Sequence, residues 1–467
     1  MHVFPIHLQM KFMKKMSLLA VLFLTAISSY AQIQVGLSYM DEIWQGSLNN
    51  PANQSEHRLV VILPSIGNTL SFTGPTYGDA IVEQNGTNVL DVNQIISRLE
   101  DRNQLREQFQ IGTVGFSIQF ANLQVGFHHT TKFDAFLDYP KELPTLIWKG
   151  NAQYIGETIP LGNNLQLSGY HEVGVSGALR LGKLELGARL KYLSGIGSLS
   201  TDQAEASLYT DPEIYQLTFN ADYRLRTASS LDYRAFNDFD INYSFGQISI
   251  DKLFSGNAGI GIDLGANLDL GRLKVGASVV DMGGINWKKD VKTYTTNGSF
   301  TYEGLDIAQA LTGDSVSFEQ ALDTLAQIFD FKESAGSYKT RLPTRAFVTA
   351  GFNLTNMWEV GAVLAGEFYQ ENFNPAASIY GKAKIGPWLR LGANYTIANQ
   401  TYDNLGLSAV ARLGPVQVYA MTDNIISAFQ AENSQYFNFL AGVNLAFGKK
   451  NAADVLEGAG NDSGVRF

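Results

Sequence analysis

Residues 184–192 read LELGARLKY, and their strict alternation decides the fold. Apolar side chains recur at every second position from Leu184 to Tyr192, whereas Glu185, Arg189 and Lys191 stand between them. Successive side chains of a β-strand point to opposite faces. The stretch therefore predicts a strand with one face for an apolar medium and one face for water.

The same pattern recurs elsewhere in the chain, at residues 273–279 and 389–397. Tilted strands of about ten residues are long enough to cross a bilayer. Beyond the first thirty or so residues the chain has no apolar run long enough for a membrane helix, and a closed barrel is the other fold that can span a membrane. With 45 Gly, 21 Tyr, 28 Phe and no Cys, the sequence predicts an all-β protein, a transmembrane antiparallel β-barrel.

Six tight turns and the longer connections between them predict the strand number. Outer-membrane barrels alternate short turns at one end with long loops at the other. Twelve strands flank the six turns, and strands at 57–66 and 436–447 bring the total to about 14. The range is 12–16, because residues 204–250 and 291–303 also resemble strands; we interpret these as hairpins within loops. The turns are Ala121-Asn122, Gly182-Lys183, Gly271-Arg272, Thr355-Asn356, Gly386-Pro387 and Gly414-Pro415.

The ends of the chain predict four regions. Lys11, Lys14 and Lys15 precede an apolar run and then Ser29-Tyr30-Ala31, which is typical of a cleavable signal peptide at residues 1–31. Residues 32–56 precede the first strand and are long enough to fold back as a hatch or plug. The barrel is expected at 57–447 and a periplasmic tail at 448–467.

Three helices are predicted in the loops. One runs from Asp91 to about Leu105, a short one covers residues 143–148, and Ser317 opens a third with a capping box that reaches Phe329. Such helices either cover the mouth of a barrel or pack inside it.

Charge and reactive residues exclude several function classes. Removal of the leader with its three lysines changes the net charge from −10 to −13, which argues against a nucleic-acid partner. Four histidines follow the leader, namely His57, His128, His129 and His171, and no Gly-x-Ser-x-Gly elbow or helical pair of metal ligands accompanies them. We therefore expect no enzyme, no metal site and no cofactor.

Five basic residues lie within a few positions of tight turns and are expected to line one end of the lumen. Such a collar either holds a substrate carboxylate or pairs internally with Glu185, Asp269, Asp41 or Glu42. Internal pairing is the default for charges in a confined space. The collar consists of Arg180, Lys274, Lys384, Arg390 and Arg412.

Aromatic residues at strand ends predict contacts outside the barrel. Trp358 and Trp388 follow tight turns, where a membrane-interface girdle is expected. In the last strand, Phe439 and every second residue up to Phe447 share one face, and we expect the barrel assembly machinery to read this end.

Asn50-Pro51-Ala52, placed after a leader and before fourteen predicted strands, resembles the long-chain fatty-acid transporter (FadL-like) superfamily, in which this segment forms part of a luminal hatch. Residues 143–151 (LPTLIWKGN), 280–288 (VDMGGINWK) and 338–343 (YKTRLP) resemble an uncharacterised family of outer-membrane proteins that is defined by a domain of unknown function. Barrels of the type IX secretion system (PorV-like) belong to the same broad superfamily.

Three functions follow as hypotheses for an integral protein of the bacterial outer membrane. The first is passive uptake of a small hydrophobic molecule through a plugged lumen, in contact with outer-membrane lipid and lipopolysaccharide. The second is a binding or scaffold barrel whose partner is a protein of a secretion or cell-surface complex. The third and least favoured is an outer-membrane enzyme. The preference for uptake rests on fold-level analogy.

Overall fold

The computed structural model describes residues 34–84, 86–235, 238–241, 254–302, 332–370, 372–398 and 401–449. Within these residues fourteen antiparallel strands form a closed barrel, which confirms the predicted fold class and strand number. Each strand pairs with the next along the chain, and the last pairs with the first from His57↔Lys449 to Ser71↔Tyr436. The strands are β1 His57–Phe72, β2 Arg102–Phe120, β3 Leu123–Pro140, β4 Asn164–Leu181, β5 Leu184–Thr210, β6 Ala258–Asp269, β7 Leu273–Trp287, β8 Thr344–Asn353, β9 Trp358–Tyr369, β10 Asn372–Ile385, β11 Leu389–Ala398, β12 Thr401–Leu413, β13 Val416–Thr422 and β14 Tyr436–Lys449.

All six predicted tight turns lie at one end of the barrel, which we call the turn end. Glycines such as Gly182 (φ 62°) and Gly414 (φ 61°) adopt the left-handed conformation that these turns require. The opposite end, the loop end, carries the long connections, but the prediction of a longer connection after every turn is wrong at two places, because only two residues separate β9 from β10 and β11 from β12. Two strand predictions were too short, because β1 continues from residue 66 to Phe72 and β14 continues two residues beyond Phe447.

The predicted hairpins extend the sheet beyond the barrel at the loop end. The outer part of β5 pairs with a strand at Leu217–Ser229, which in turn pairs with Val291–Tyr302. Three short strands complete this extension, at Thr158–Pro160, Lys332–Ser334 and Tyr338–Arg341. Two separate small hairpins comprise Ile81–Gln84 with Thr87–Leu90 and Leu231–Ala235 with Asp238–Ile241.

Helices are short and lie in the plug and the loops. The predicted helix from Asp91 to about Leu105 is wrong in length: it spans Val92–Arg98, because Leu99 turns extended and Arg102 already pairs with Pro140 as the start of β2. The second predicted helix is present as Glu142–Lys149, and the predicted helix at 317–329 lies outside the described residues. The remaining helical turns are Val35–Tyr39, Trp44–Leu48, Tyr77–Ala80, Ala152–Tyr154, Ile426–Phe429 and Ala431–Asn433. No helix in the described part of the chain is long and apolar enough to cross a membrane.

The alternation of the sequence separates the two faces of the wall as predicted. In β5, Leu190 points outward and is 59% exposed, whereas Arg189 and Lys191 point inward and are 1% and 2% exposed. The outer face is consistently apolar and exposed across neighbouring strands. Its members include Leu190, Ile260, Leu264, Val348, Leu364, Ile379, Leu391, Leu407 and Val418.

Candidate functional site in the barrel lumen

Residues 34–56, which we call the plug, lie inside the barrel. Two helical turns at Val35–Tyr39 and Trp44–Leu48 build most of the plug, and the chain then enters β1 at His57. Plug side chains contact inward residues of strands all round the ring, for example Asn267 in β6, Asn394 in β11 and Asn444 in β14. The segment runs from Thr69 and Asp423, near the loop ends of β1 and β13, down to the turn end at Ala178.

One side of the plug is apolar and packs against an apolar strip of the wall. Val35, Leu37 and Ile43 are at most 2% exposed. The ring of Tyr39 stacks on Tyr380 with 4.5 Å between the centroids. The strip is formed by β7 to β14 and includes Val280, Phe347, Val363, Ala365, Ala376, Ala398, Val410, Tyr419, Met421 and Leu440.

Asp423, just beyond the end of β13, anchors the first helical turn of the plug. Its carboxylate accepts a hydrogen bond from the backbone N–H of Gly36 at 2.8 Å, and Asn438 and Asn394 donate to the same group at 2.9 and 3.2 Å. Burial nevertheless dominates and raises the pKa of Asp423 to about 6.

Lys382 in β10 is the main ionic contact of the plug. Its Nζ donates to the backbone oxygen of Tyr39 at 2.9 Å and lies 2.5 Å from Asp41 Oδ1 and 3.5 Å from Glu42 Oε1. The wall carboxylate of Glu359 lies 3.4 Å from the same nitrogen.

The pKa values of the two plug carboxylates, Asp41 and Glu42, are shifted in opposite directions. Burial alone would raise the pKa of Asp41, but Lys382 and then Lys274 lower it below its usual range. For Glu42, burial outweighs the attraction of Lys382, and the pKa is raised. One ammonium group thus serves two neighbouring acids and favours the ionised form of Asp41.

Asn50-Pro51-Ala52 closes the plug against β5 and β6. Asn50 donates to Asn267 Oδ1 at 2.8 Å and accepts from the backbone of Ala52 at 3.0 Å. The tripeptide packs directly on the wall at Gly187, where a Cβ would lie 2.2 Å from the carbonyl carbon of Pro51. The absence of a side chain at this position is what lets the backbones approach.

The five residues of the predicted collar lie near the turn end but have different partners. Lys274 Nζ lies 3.6 Å from Asp41 of the plug, and Lys384 lies on the same face as Lys382, close enough to lower the pKa of Asp41. The other three make contacts within the wall. Arg180 pairs with Glu185, Arg390 donates to the backbone oxygen of Gly386, and Arg412 donates to that of Gly414.

A second set of charges crosses the lumen beyond the plug, and we call it the ion belt. Lys191 Nζ lies 2.8 Å from Asp263 and 2.5 Å from Asp281, and Lys132 lies 2.8 Å from Glu172. Five basic and five acidic residues balance within the belt, so it carries no formal net charge. Its members are Arg106, Lys132, Arg189, Lys191, Arg345, Asp134, Glu172, Asp263, Asp281 and Glu367.

One ion pair of the belt joins opposite walls of the barrel. Arg106 belongs to β2 and Glu367 to β9, seven strands apart in a ring of fourteen, and their side chains form a salt bridge at 6% and 0% exposure. The guanidinium lies 4.4 Å from the ring centroid of Tyr369 in β9, and Phe136 of β3 meets the same ring edge-on at 5.8 Å. The cavity beside these residues holds about 10 Å³, space for a single water molecule.

The plug and the ion belt touch each other at Arg189. Its guanidinium donates to the backbone oxygen and the hydroxyl of Ser47 at 2.8 and 2.9 Å and pairs with Asp263 at 2.9 Å. Trp44 of the plug lies under the same guanidinium and against the ring of His128, which contacts Glu172 at 3.0 Å.

His129 and His171 form a separate pair beside two threonines. His128 and His129 lie on opposite faces of β3, as the alternation predicts. His129 stacks on His171 with 5.3 Å between centroids, and the two rings are held by Thr113 at 2.7 Å and Thr131 at 3.0 Å.

Sequence reasoning missed the ion belt and Lys382 because it searched for charges beside turns. The signal was present in the alternation itself. Arg106, Glu172 and Glu367 each occupy an inward position far from a tight turn, and a charge buried there requires a partner of opposite charge inside the lumen.

Two of the quoted sequence motifs meet in space. Residues 284–287 pair with 338–341, Trp287 stacks on Tyr338 at 6.3 Å, and the indole N–H of Trp287 donates to Thr340 at 2.9 Å. Both motifs, and the helical one at 143–151, fall within residues 51–423, which match the model of a family of unknown function, DUF5723. The chain belongs to the DUF5723 family. The DUF5723 motif at 280–288 also supplies Asp281 to the ion belt.

Comparison of this DUF5723 chain with solved structures gives weak likenesses to proteins that include a hydrocarbon channel and a toluene transporter. A TodX deltaS2S3 mutant monoaromatic hydrocarbon channel has a TM-score of 0.42 at 10% identity and covers 90% of this chain and 96% of its own. The toluene transporter TbuX of Ralstonia pickettii scores 0.41 at 9% identity (86% and 93% covered), and a FadL homologue of Pseudomonas aeruginosa scores 0.39 at 9% identity (90% and 97% covered). Likenesses at this level carry no argument about function. The comparison with curated proteins gives no match.

Proposed function

We propose that this chain is an integral outer-membrane barrel that takes up a small hydrophobic molecule when its plug moves. The observation that carries the proposal is the plug itself: a contiguous segment of chain fills a lumen that fourteen strands would otherwise leave wide. A barrel that only anchors other proteins does not need a separate segment folded into it.

The outer face supports the membrane placement. Soluble monomers seldom expose apolar patches larger than a few hundred Å², whereas here exposed apolar side chains cover strand after strand. Trp358 and Trp388, 51% and 50% exposed, follow turns at the turn end, where an interfacial girdle would lie. Outer-membrane barrels have short turns on the periplasmic side, so the turn end would be the periplasmic end. The outer face would then contact lipid and lipopolysaccharide.

The chemistry of the plug contacts supports an apolar cargo. Val35, Leu37 and Met40 cover an apolar strip of the wall. When the plug leaves, this strip is the surface of the lumen that an apolar molecule would bind, since burial of apolar area is favourable. The contacts that hold the plug near its two ends, at Asp423 and Asn50, are hydrogen bonds that water can replace.

The final strand supports an assembly partner. Phe439, Val443 and Phe447 lie on the outward face of β14, so the last strand presents an aromatic residue to the membrane two residues before it ends at Lys449. We propose that the barrel assembly machinery recognises this end.

A scaffold role in a secretion or surface complex is the second candidate. The observation that favours it is the extended sheet at the loop end, in which Leu217–Ser229 and Val291–Tyr302 project beyond the barrel and offer a protein-sized surface.

A reversible lock on the plug separates the two candidates. Gln45 and Asn444 exchange two side-chain hydrogen bonds of 3.0 and 2.8 Å, and the chain has no native cysteine, so a short bifunctional thiol reagent with a reducible linker can join Q45C to N444C between plug and wall. Cells that carry the cross-linked variant should take up the apolar dye N-phenylnaphthylamine no faster than cells without the protein, and reductant should restore uptake. V418C/V443C, a pair on neighbouring strands, is the matched control. Uptake that ignores the plug lock, or no uptake with the unmodified chain, contradicts transport and favours the scaffold.

A further inference from the structure

We infer that Arg106 and Glu367 form a gate, a second closure of the lumen that belongs to the wall and must part before cargo can pass. The inference rests on the proposed uptake function and adds to it the residues that control passage beyond the plug. It assigns the gate to one bridge between β2 and β9, reinforced by Phe136 and Tyr369.

The first argument is topological. Adjacent strands exchange salt bridges in any barrel, but Arg106 and Glu367 are separated by half the ring. The contact bridges the lumen from wall to wall at that level, and the other side chains of the ion belt stand beside it. A barrel of fourteen strands is otherwise wide enough to enclose more than its own side chains.

The second argument concerns the nature of the contact. The pair also contacts Asp134 at 3.1 Å, and the only aromatic contact described beside it joins Phe136 to Tyr369. The free energy of a buried pair depends on both partners and on the exclusion of water. When water enters, both ions can be solvated separately, so opening exposes little apolar surface beyond these two rings.

The third argument is that wall residues hold the bridge. The plug contacts the belt at Arg189, on the β5 side of the lumen. Arg106 contacts Asp134, Glu367 and Tyr369, all of them wall residues. The bridge therefore has wall contacts that must open in addition to those of the plug, and the two closures act in series.

Cross-linking tests whether the bridge holds the walls together. In the full-length chain, F136C and Y369C are joined by a short bifunctional thiol reagent. The yield should be high with the bridge intact and should fall by about tenfold or more in the added R106A/E367A background, since loss of a charge-assisted contact changes an equilibrium by that amount. R180A/E185A, an ion pair between the adjacent strands β4 and β5, should leave the yield unchanged. Efficient cross-linking without the bridge overturns the inference, and so does failure to cross-link with it.

Uptake tests whether the bridge is a gate. With the plug free to move, cross-linked F136C/Y369C protein should take up N-phenylnaphthylamine at the background rate, and cleavage of the cross-linker should restore uptake. If the wall lock has no effect while the plug lock blocks uptake, the gate is disproved and the transport proposal stands. If neither lock matters, both are disproved.

Discussion

The plug and the ion belt close neighbouring levels of one lumen by different chemistry. The plug is a segment of chain with an apolar side, anchored near its ends by Asp423 and Asn50. The belt is made of wall side chains, with Lys191 shared among three carboxylates and Arg106 spanning the ring. A docked segment can be removed while the barrel stays folded, whereas a buried charge network is part of the wall and fails with it. The two closures should therefore respond differently to substitution.

The largest effect is expected for Lys191→Ala. It leaves Glu172, Asp263 and Asp281 without their shared cation, and removing one partner of a buried ion pair costs roughly 3–5 kcal/mol. The free energy of unfolding of the whole barrel should fall by that amount, while hydrogen exchange of the plug stays as it was. Lys191→Arg, which retains the charge, is the control. Faster hydrogen exchange of the plug amides in Lys191→Ala would mean that the belt and the plug are stabilised as one unit.

The outer face provides a reference outside both closures. Lysine at Leu407, which faces outward in the middle of β12, should cost roughly 2–4 kcal/mol of barrel stability in lipid, and lysine at Leu413 beside the turn at the end of the same strand should cost about 0–1 kcal/mol. Asn394 does not serve as an inexpensive lumen control, because it is buried and bonded to Tyr39 and Asp423. Equal costs at Leu407 and Leu413 would contradict the membrane placement.

Lys382→Ala should loosen the plug and spare the belt. The substitution removes the cation that Asp41, Glu42 and the backbone of Tyr39 share, and a hydrogen bond to a charged group contributes roughly 1.5–3 kcal/mol. Amide exchange in residues 34–48 should accelerate while barrel unfolding changes little. Lys384→Ala should do less, since Lys384 is the weakest of the three lysines acting on Asp41. Global destabilisation without local exchange would show that the plug is not a separable unit.

Gly187→Ala tests the same separation by shape instead of charge. A methyl group there meets the backbone of Pro51. Overpacking typically costs roughly 1–3 kcal/mol, so the docking of the plug should become less favourable by that amount. The control is Gly177→Ala on the neighbouring strand, where an added Cβ meets nothing within 4 Å. If both variants exchange the plug amides at the same rate, the close contact at Gly187 does not hold the plug.

The smallest effect is a pH dependence of plug docking. The pKa of Asp423 is about 6 with the plug in place, against an ordinary value of 3.8. The stabilisation is therefore complete below the ordinary value and is lost as pH rises through about 6, by about 1 kcal/mol between pH 5 and 7. Plug amides should exchange faster, relative to intrinsic rates, at the higher pH. In Asp423→Asn this difference should vanish, and its persistence would assign the effect to another group.

The sequence predicted the barrel because a two-residue period is a local signal. The alternation of adjacent residues is enough to assign Leu391 to the outer face and Arg390 to the inner face of the wall. Glycines such as Gly182 indicate turns whose conformation only a few residue types adopt. The helix from Asp91 was predicted too long because the pairing of Arg102 with Pro140 is not local.

The site was harder to predict for a related reason. Nothing near Arg106 in the sequence indicates that its partner is Glu367, since only the closed barrel brings β2 and β9 face to face. Lys274 was expected near Asp41 because both were assigned to one end of the lumen, and the structure places them 3.6 Å apart. Lys382, only two residues from Lys384, was overlooked although it makes the closer contacts.

The plug sits at the seam where the ring closes. Trp44 packs against Val60 of β1 and Ala446 of β14, and Gln45 bonds with Asn444 across the same junction. These contacts join the beginning of the folded chain to its end, so their formation carries the largest loop-closure cost in the molecule. A plug that is already inside when β14 meets β1 needs no later opening of the ring to enter it. Trp44 and Gln45 would then guide the last strand to the first, so the segment that fills the lumen would also speed closure of the wall.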